Sequence, residues 1–209
     1  MLNPLQNDLL VELLNTQIGI AASLLSEMVN QKIILSVPQI KLEKGSDFNL
    51  QEFDYEGNFS SEDAIMSSIK FGNAFKGSAY VVFPIKKAKI FSNACMGIQV
   101  SEDELTRLTD EDFDVIKEIC NILLNSVVGE FGNLLDVKLV YEAPEMKFST
   151  ISSLNQNEII PNNIYVLVLY TSFFLSESQV NGLILVALSV DSVDLLICKI
   201  DEMLRGLDD

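Results

Sequence analysis

The sequence contains no histidine. That removes the usual general base near neutral pH, the commonest transition-metal ligand and any Ser–His or Cys–His nucleophile pair. The three cysteines, Cys95, Cys120 and Cys198, are odd in number, lie in apolar surroundings and lack metal-ligand spacing. They read as buried thiols in a reducing cytosol, and no metal site of the protein's own is expected. No apolar run approaches the ~20 residues of a membrane helix. The longest, "IYVLVLY" over Ile164–Tyr170, has strand length. The opening "MLNPLQNDLL" lacks the basic-then-apolar order of a secretory signal, so the expected location is cytoplasmic. Positive charge is scarce: 14 basic residues face 30 acidic ones, a formal charge of −16. Nucleic acid and anionic membrane surfaces are therefore disfavoured as partners, and most of the acidity reads as solubility.

Apolar residues, by contrast, make up 48% of the 209 positions, enough for a sizeable globular core in one domain or two fused halves. The chain reads as two copies of one pattern. A slide of 106 positions places Asp8, Glu12, Asn15, Lys32 and Pro38 on Asp114, Glu118, Asn121, Lys138 and Pro144. Between them apolar falls on apolar, as with Leu13 on Ile119 and Leu25 on Phe131. Further on, a slide of 105 matches Gly77, opening "GSAYVVFP", to Gly182, opening "GLILVALS". That period is too long for a solenoid. It predicts a single domain over 1–209 built from repeats 1–100 and 101–209, with pseudo-two-fold symmetry.

Each half reads as helix, three strands, helix. Helical periodicity covers Leu5–Asn30 and Glu111–Asp136, with Thr109 a candidate cap for the second. Ser101 with Glu104 has the form of a capping box for a short preceding helix. "KIILSVP" (Lys32–Pro38) and "KLVYEAP" (Lys138–Pro144) read as short strands ended by proline. Further strands are expected near Ala64–Phe71, Ser78–Phe83, Ile164–Phe173 and Leu183–Leu188. Closing helices are expected near Ile85–Met96 and Val190–Arg205, with Gly97 and Gly206 as their stops. The polar stretches Glu43–Ser61 and Ser149–Asn163 read as loops. The expected fold is α/β of the α+β type: a mainly antiparallel sheet of about six strands covered by helices.

Residues spaced i, i+4 and i+7 on a helix fall within about 60° of arc. Asp8, Glu12 and Asn15 share one direction, and so do Asp114, Glu118 and Asn121. Gly19, Ser23 and Ser26 extend the first stripe; Asn125, Gly129 and Gly132 extend the second. Most charged stripes are solvated faces. Solvation, however, demands only polarity, not Glu and Asn at matched positions with a matched proline downstream.

Asp, three residues, Glu, two residues, Asn, then 22 residues to Pro resembles the signature of the CheC, CheX and FliY chemotaxis phosphatases. Both copies fit without adjustment, the intervals being residues 16–37 and 122–143. The resemblance covers essentially the whole chain and is closest to CheC, whose members are similar in size and carry two such sites. A CheX-like protein would carry one site, and a FliY-like protein would add a flagellar-switch domain after the second half. The resemblance implies a CheC-like fold and a substrate of CheY type, a receiver domain phosphorylated on aspartate. The receiver would bring its own Mg²⁺, so the protein needs no cofactor. By motif position, Asn15 and Asn121 would orient the attacking water, and Glu12 and Glu118 would pair with a receiver lysine. Asp8, Gly19, Asp114, Asn125 and Gly129 would belong to the docking surface, and Pro38 and Pro144 to the structural part of the motif. Two departures stand out: the asparagines are followed by "TQIG" and "ILLN", whereas many family members have Ile directly after Asn and Gly four positions on. The alternative reading is a CheC-like docking protein without catalysis, with the receptor deamidase CheD or another signalling protein as partner. The closing helices would be candidate partner surfaces, although core packing accounts for their apolar residues equally well.

Overall fold

Asn3 and Thr109, 106 positions apart, each start a helix of 26 residues in the computed structural model: α1 (Pro4–Val29) and α3 (Asp110–Leu135). Both starts are capping boxes. The Asn3 side chain accepts from the Gln6 N–H and the Thr109 hydroxyl from the Asp112 N–H, while Gln6 and Asp112 bond back to the cap N–H groups. Both helices end on a left-handed residue, Asn30 (φ 49°) and Asp136 (φ 51°). The duplication therefore extends to the backbone chemistry of the helix ends. The structure describes residues 2–49, 63–98, 107–150, 164–175 and 178–207. The expected Ser101–Glu104 capping box lies outside them.

Two shorter helices follow the pattern, α2 (Ile85–Met96) and α4 (Val190–Leu207). Gly97 caps α2 in the left-handed region (φ 68°), where a side chain would be strained. Gly206 does not stop α4, which continues through Leu207. By length and composition α1 could cross a membrane. Leu10, Leu14, Ile18 and Leu25 turn its apolar stripe into the protein's own core, while Leu5, Ile20, Leu24 and Met28 are exposed.

The strands are β1 (Ile33–Leu35), β2 (Gln39–Lys44), β3 (Asp63–Gly72), β4 (Gly77–Pro84), β5 (Val140–Tyr141), β6 (Glu145–Thr150), β7 (Tyr165–Leu175) and β8 (Ser178–Leu188). They form one antiparallel sheet in the order β1-β7-β8-β4-β3-β5, with β2 continuing β1 along β7 and β6 continuing β5 along β3. The sheet thus has the six expected ladder positions, but its two edges are each cut into two segments. At one edge Leu35 faces Phe173 and Gln39 faces Tyr170, so four steps along the edge meet three on β7. At the other, Tyr141 faces Phe71 and Glu145 faces Ser68, the same surplus. Pro38 and Pro144 lie in these two bulges, where a residue without an N–H removes no ladder bond. The prolines therefore interrupt the edge strands rather than end them. β2 and β6 are strands that their own residues do not predict: "QIKLEK" and "EMKFST" are charged, as edge strands often are.

Symmetry is visible in the central ladder. Tyr80 of β4 pairs with Leu185 of β8, its own duplicate, and the pairs Ser78–Ala187 and Val82–Leu183 flank it symmetrically. Each half also lends its edge strand to the other half: β1 and β2 pair with β7, and β5 and β6 with β3. The main core lies between the helices and one sheet face, where Phe83, Phe91 and Phe173 meet with ring centroids 5.3–6.1 Å apart. α1 packs on α3, and the α1–α4 contact is matched by its duplicate α3–α2; α3 also touches α4. A second apolar cluster, including Ala64, Met66, Val82, Val168 and Leu185, occupies the other sheet face.

The matched glycines have a steric cause. A Cβ on Gly77 would come within 2.5 Å of the Ala187 carbonyl oxygen and 2.7 Å of the Phe71 ring. One on Gly182 would meet the Phe83 ring at 2.5 Å. Both lie on the two central strands, β4 and β8, where a neighbouring strand or ring occupies the side-chain space.

Candidate functional site

Each long helix presents one face to the core and leaves another open. On α1, Leu10, Leu14, Ile18, Ala21 and Leu25 are buried. Asp8, Glu12 and Gly19 are exposed on the far side, with Asn15 half-buried between them. On α3, Ile116, Ile119, Leu123, Val127 and Phe131 face the core, while Asp114, Glu118 and Asn125 are exposed and Asn121 and Gly129 are half-buried. Neither Glu12 nor Glu118 has a side-chain hydrogen bond or ion pair among the described residues. Two carboxylates without partners, each one turn before a carboxamide, are free to meet groups brought by another molecule.

The stripes are shorter than their sequence implies. Ser26 accepts from the Ile33 N–H (2.9 Å) and donates to the Ala22 carbonyl (2.6 Å), tying the end of α1 to β1. Its duplicate Gly132 is also used internally, since a Cβ there would approach the Val137 carbonyl oxygen at 3.2 Å. Both positions serve the helix-to-strand turn, so each available stripe ends at Ser23 or Gly129.

The two copies differ in one polar atom. The Asn121 Oδ1 is shielded from solvent and has no hydrogen-bond partner, whereas no atom of Asn15 is in that state. Asn15 and Asn121 are alike in being half-buried, and differ in the solvation of this one oxygen.

An ion pair that the sequence did not announce fixes the start of α3. Asp112 is fully buried and accepts from Lys89 Nζ (2.6 Å), Ser92 Oγ (2.8 Å), the Thr109 N–H (2.6 Å) and the Thr109 hydroxyl (2.9 Å). Burial opposes the carboxylate's charge, but these donors, Lys89 foremost, outweigh it and hold the carboxyl below its usual value. The duplicate position in α1, Gln6, instead donates to Asp201 of α4 at 2.7 Å. In each half the third residue of the capping box thus anchors a long helix to a short one. The visible signal was a Thr–x–x–Asp box; the partner 23 residues away was not visible.

Cys120 is buried and Cys95 partly so, and burial pushes both thiols up to about 12. Cys198 is exposed, against its reading as a buried thiol. Among the described residues no group of three or more Cys, Asp or Glu side chains could hold a metal ion. The short helices are apolar mainly toward the core, with Val190 and Leu195 of α4 left exposed. A cleft of about 440 Å³ at one end of the sheet, bordered by Lys70, Lys76, Tyr80 and Glu142, shares no residue with either stripe.

No family model matches the sequence, and no curated protein matches it. Among solved structures, the chain is similar to Thermotoga maritima FliY, at 18% identity over 97% of this chain and 98% of that one, with a TM-score of 0.72. It is similar to a chain of the FliG–FliM complex from H. pylori, at 10% identity over 94% and 100% of the two chains, with a TM-score of 0.67. Chemotaxis protein CheX from Vibrio vulnificus is matched at 16% identity over 85% and 99%, with a TM-score of 0.50. The protein has the α+β fold common to these CheC/CheX/FliY-type chains.

Proposed function

We propose that this protein is a phosphatase of the cytoplasm that hydrolyses the phospho-aspartate of a CheY-type receiver domain in chemotaxis signalling. The observation that carries this reading is the repeated pair on α1 and α3: an exposed glutamate, unpartnered among the described residues, followed one turn later by an asparagine, with its proline in an edge-strand bulge. The fold shared with FliY and CheX supports it.

In this reading the receiver brings the Mg²⁺ and the groups around its phosphoryl. Glu12 or Glu118 pairs with a receiver lysine, a charge-assisted contact that sets the docking register. Asn15 or Asn121 hydrogen-bonds a water in line with the scissile bond, a role comparable to that of the water-orienting Gln of small GTPases. The water oxygen forms the new bond to phosphorus, the bond to the receiver aspartate breaks, and inorganic phosphate leaves. A hundredfold acceleration corresponds to about 2.7 kcal/mol, within the range that positioning alone supplies. A chain without histidine can therefore perform this reaction. The test is phosphate release from a panel of acyl-phosphate-labelled receivers, with and without the protein.

A second reading has its own support: the same fold occurs in a chain of the FliG–FliM complex, so it also serves in protein assembly. In that case the protein would be a docking partner of CheD or another signalling protein. It would bind its partner through these helices and leave the lifetime of every labelled receiver unchanged.

A further inference from the structure

The duplicated stripes are not duplicates in their surroundings, and the difference sits one turn beyond each asparagine. Helical side chains lean toward the N-terminus, so a residue at i+4 covers the surface over residue i. Beyond Asn15 that residue is Gly19, which is exposed and whose hypothetical Cβ would meet nothing within 4 Å. Beyond Asn121 it is Asn125, an exposed residue whose side chain the same helix geometry directs back toward Asn121. In line with this, the Asn121 Oδ1 is shielded and unbonded, while Asn15 has no such atom. A shielded carbonyl oxygen accepts from an attacking water only after its carboxamide reorients.

A second difference points the same way. On α1, Ile20 and Leu24 continue from the stripe as exposed apolar surface, 47% and 46% exposed. Their duplicates on α3 are Ser126 and Glu130; Glu130 is buried, and its carboxylate accepts from the Asn133 amide at 3.4 Å. The first copy thus offers a visiting domain an apolar border that the second lacks.

Building on the hydrolytic reading above, we infer that the two sites are unequal, with Asn15 the working residue and Asn121 held back, and that Gly19 and Asn125 are the positioning residues that grade them. Turning a side chain from a preferred to a displaced rotamer costs enough to change a rate about fivefold.

The test uses single-site backgrounds of the full chain with a phosphorylated receiver that it hydrolyses. Asn15→Ala should remove about four-fifths of the rate and Asn121→Ala about one-fifth. In the Asn15→Ala background, adding Asn125→Ala should raise the residual kcat about fivefold while KM for the receiver stays within about twofold. In the Asn121→Ala background, Gly19→Asn should lower kcat by a similar factor. Circular dichroism checks that each variant is folded; Asn125→Ala, which raises helix propensity, guards against loss of fold as the cause. Equal losses in the two single variants, a larger loss from Asn121→Ala, or no response to Asn125→Ala would overturn the grading. Failure of the hydrolytic reading looks different: the folded double variant Asn15→Ala with Asn121→Ala would then retain the wild-type rate.

Discussion

Replacing Asp112 with alanine probes how the second stripe is held in place. The side chain is fully buried and accepts four hydrogen bonds, one of them from Lys89, which is itself only 7% exposed. Its removal leaves a buried ammonium without a counter-charge and the Thr109 N–H and Ser92 hydroxyl without an acceptor. Breaking a buried pair from one side costs about 3–5 kcal/mol, because the desolvation of the remaining charge is no longer offset. At about 2–4 °C per kcal/mol for a chain of this size, the thermal midpoint should fall by roughly 10 °C. Urea unfolding should show the midpoint shifted with an unchanged slope. Replacing both partners, Asp112→Leu with Lys89→Met, should recover most of the loss. The sign with pH follows from the depressed carboxyl: its contribution is complete above the ordinary carboxylate value of about 3.9 and is lost as pH falls through the lower folded value. The gap between wild type and Asp112→Ala should therefore close in acid. A cost below about 1 kcal/mol at pH 7, or a gap that widens below pH 4, would refute this account of the ion pair.

Gly77→Ala should destabilise the protein by about 2 kcal/mol in urea unfolding, since the added methyl meets a backbone carbonyl that cannot step aside. Gly182→Ala meets two phenylalanine rings instead and should also destabilise, with rearrangement of the Phe83–Phe173 contact visible in near-ultraviolet circular dichroism. At pH 8 a thiol reagent should modify one cysteine per folded chain rapidly. That residue should be Cys198 by peptide mapping, because Cys95 and Cys120 have thiols pushed up to about 12. Glu12→Ala with Glu118→Ala should raise KM for a phosphorylated receiver about tenfold, the loss expected of one charge-assisted contact, while thermal stability changes little because neither side chain has a partner among the described residues.

Much of the fold was written in local chemistry. Thr109 announced the start of α3, Gly97 the end of α2, and the apolar spacing of α1 and α3 gave helices whose ends differ from expectation by one residue. What escaped was non-local. β2 and β6 are charged segments that become strands only because β7 and β3 offer them ladder partners, so nothing in their own residues distinguishes them from loops. The exchange of edge strands between the halves is likewise a matter of register, which a hydrophobic pattern does not encode. At the site, the periodicity placed Glu12, Asn15, Glu118 and Asn121 on open helix faces, because burial on a helix follows the wheel. Ser26 and Gly132 looked like members of the same stripe but are taken up by the turn into the next strand. The shielding of the Asn121 oxygen depends on how its carboxamide is turned, and composition is silent on that.

The central claim is that one carboxamide on each long helix completes a reaction centre supplied by a phosphorylated receiver. Its most direct test is the rate of phosphate release from acyl-phosphate-labelled receivers, measured with the wild-type protein and with the folded Asn15→Ala, Asn121→Ala double variant. The account predicts that wild type shortens the lifetime of at least one receiver by about a hundredfold and that the double variant leaves it at the unassisted value. Equal acceleration by both proteins would contradict it.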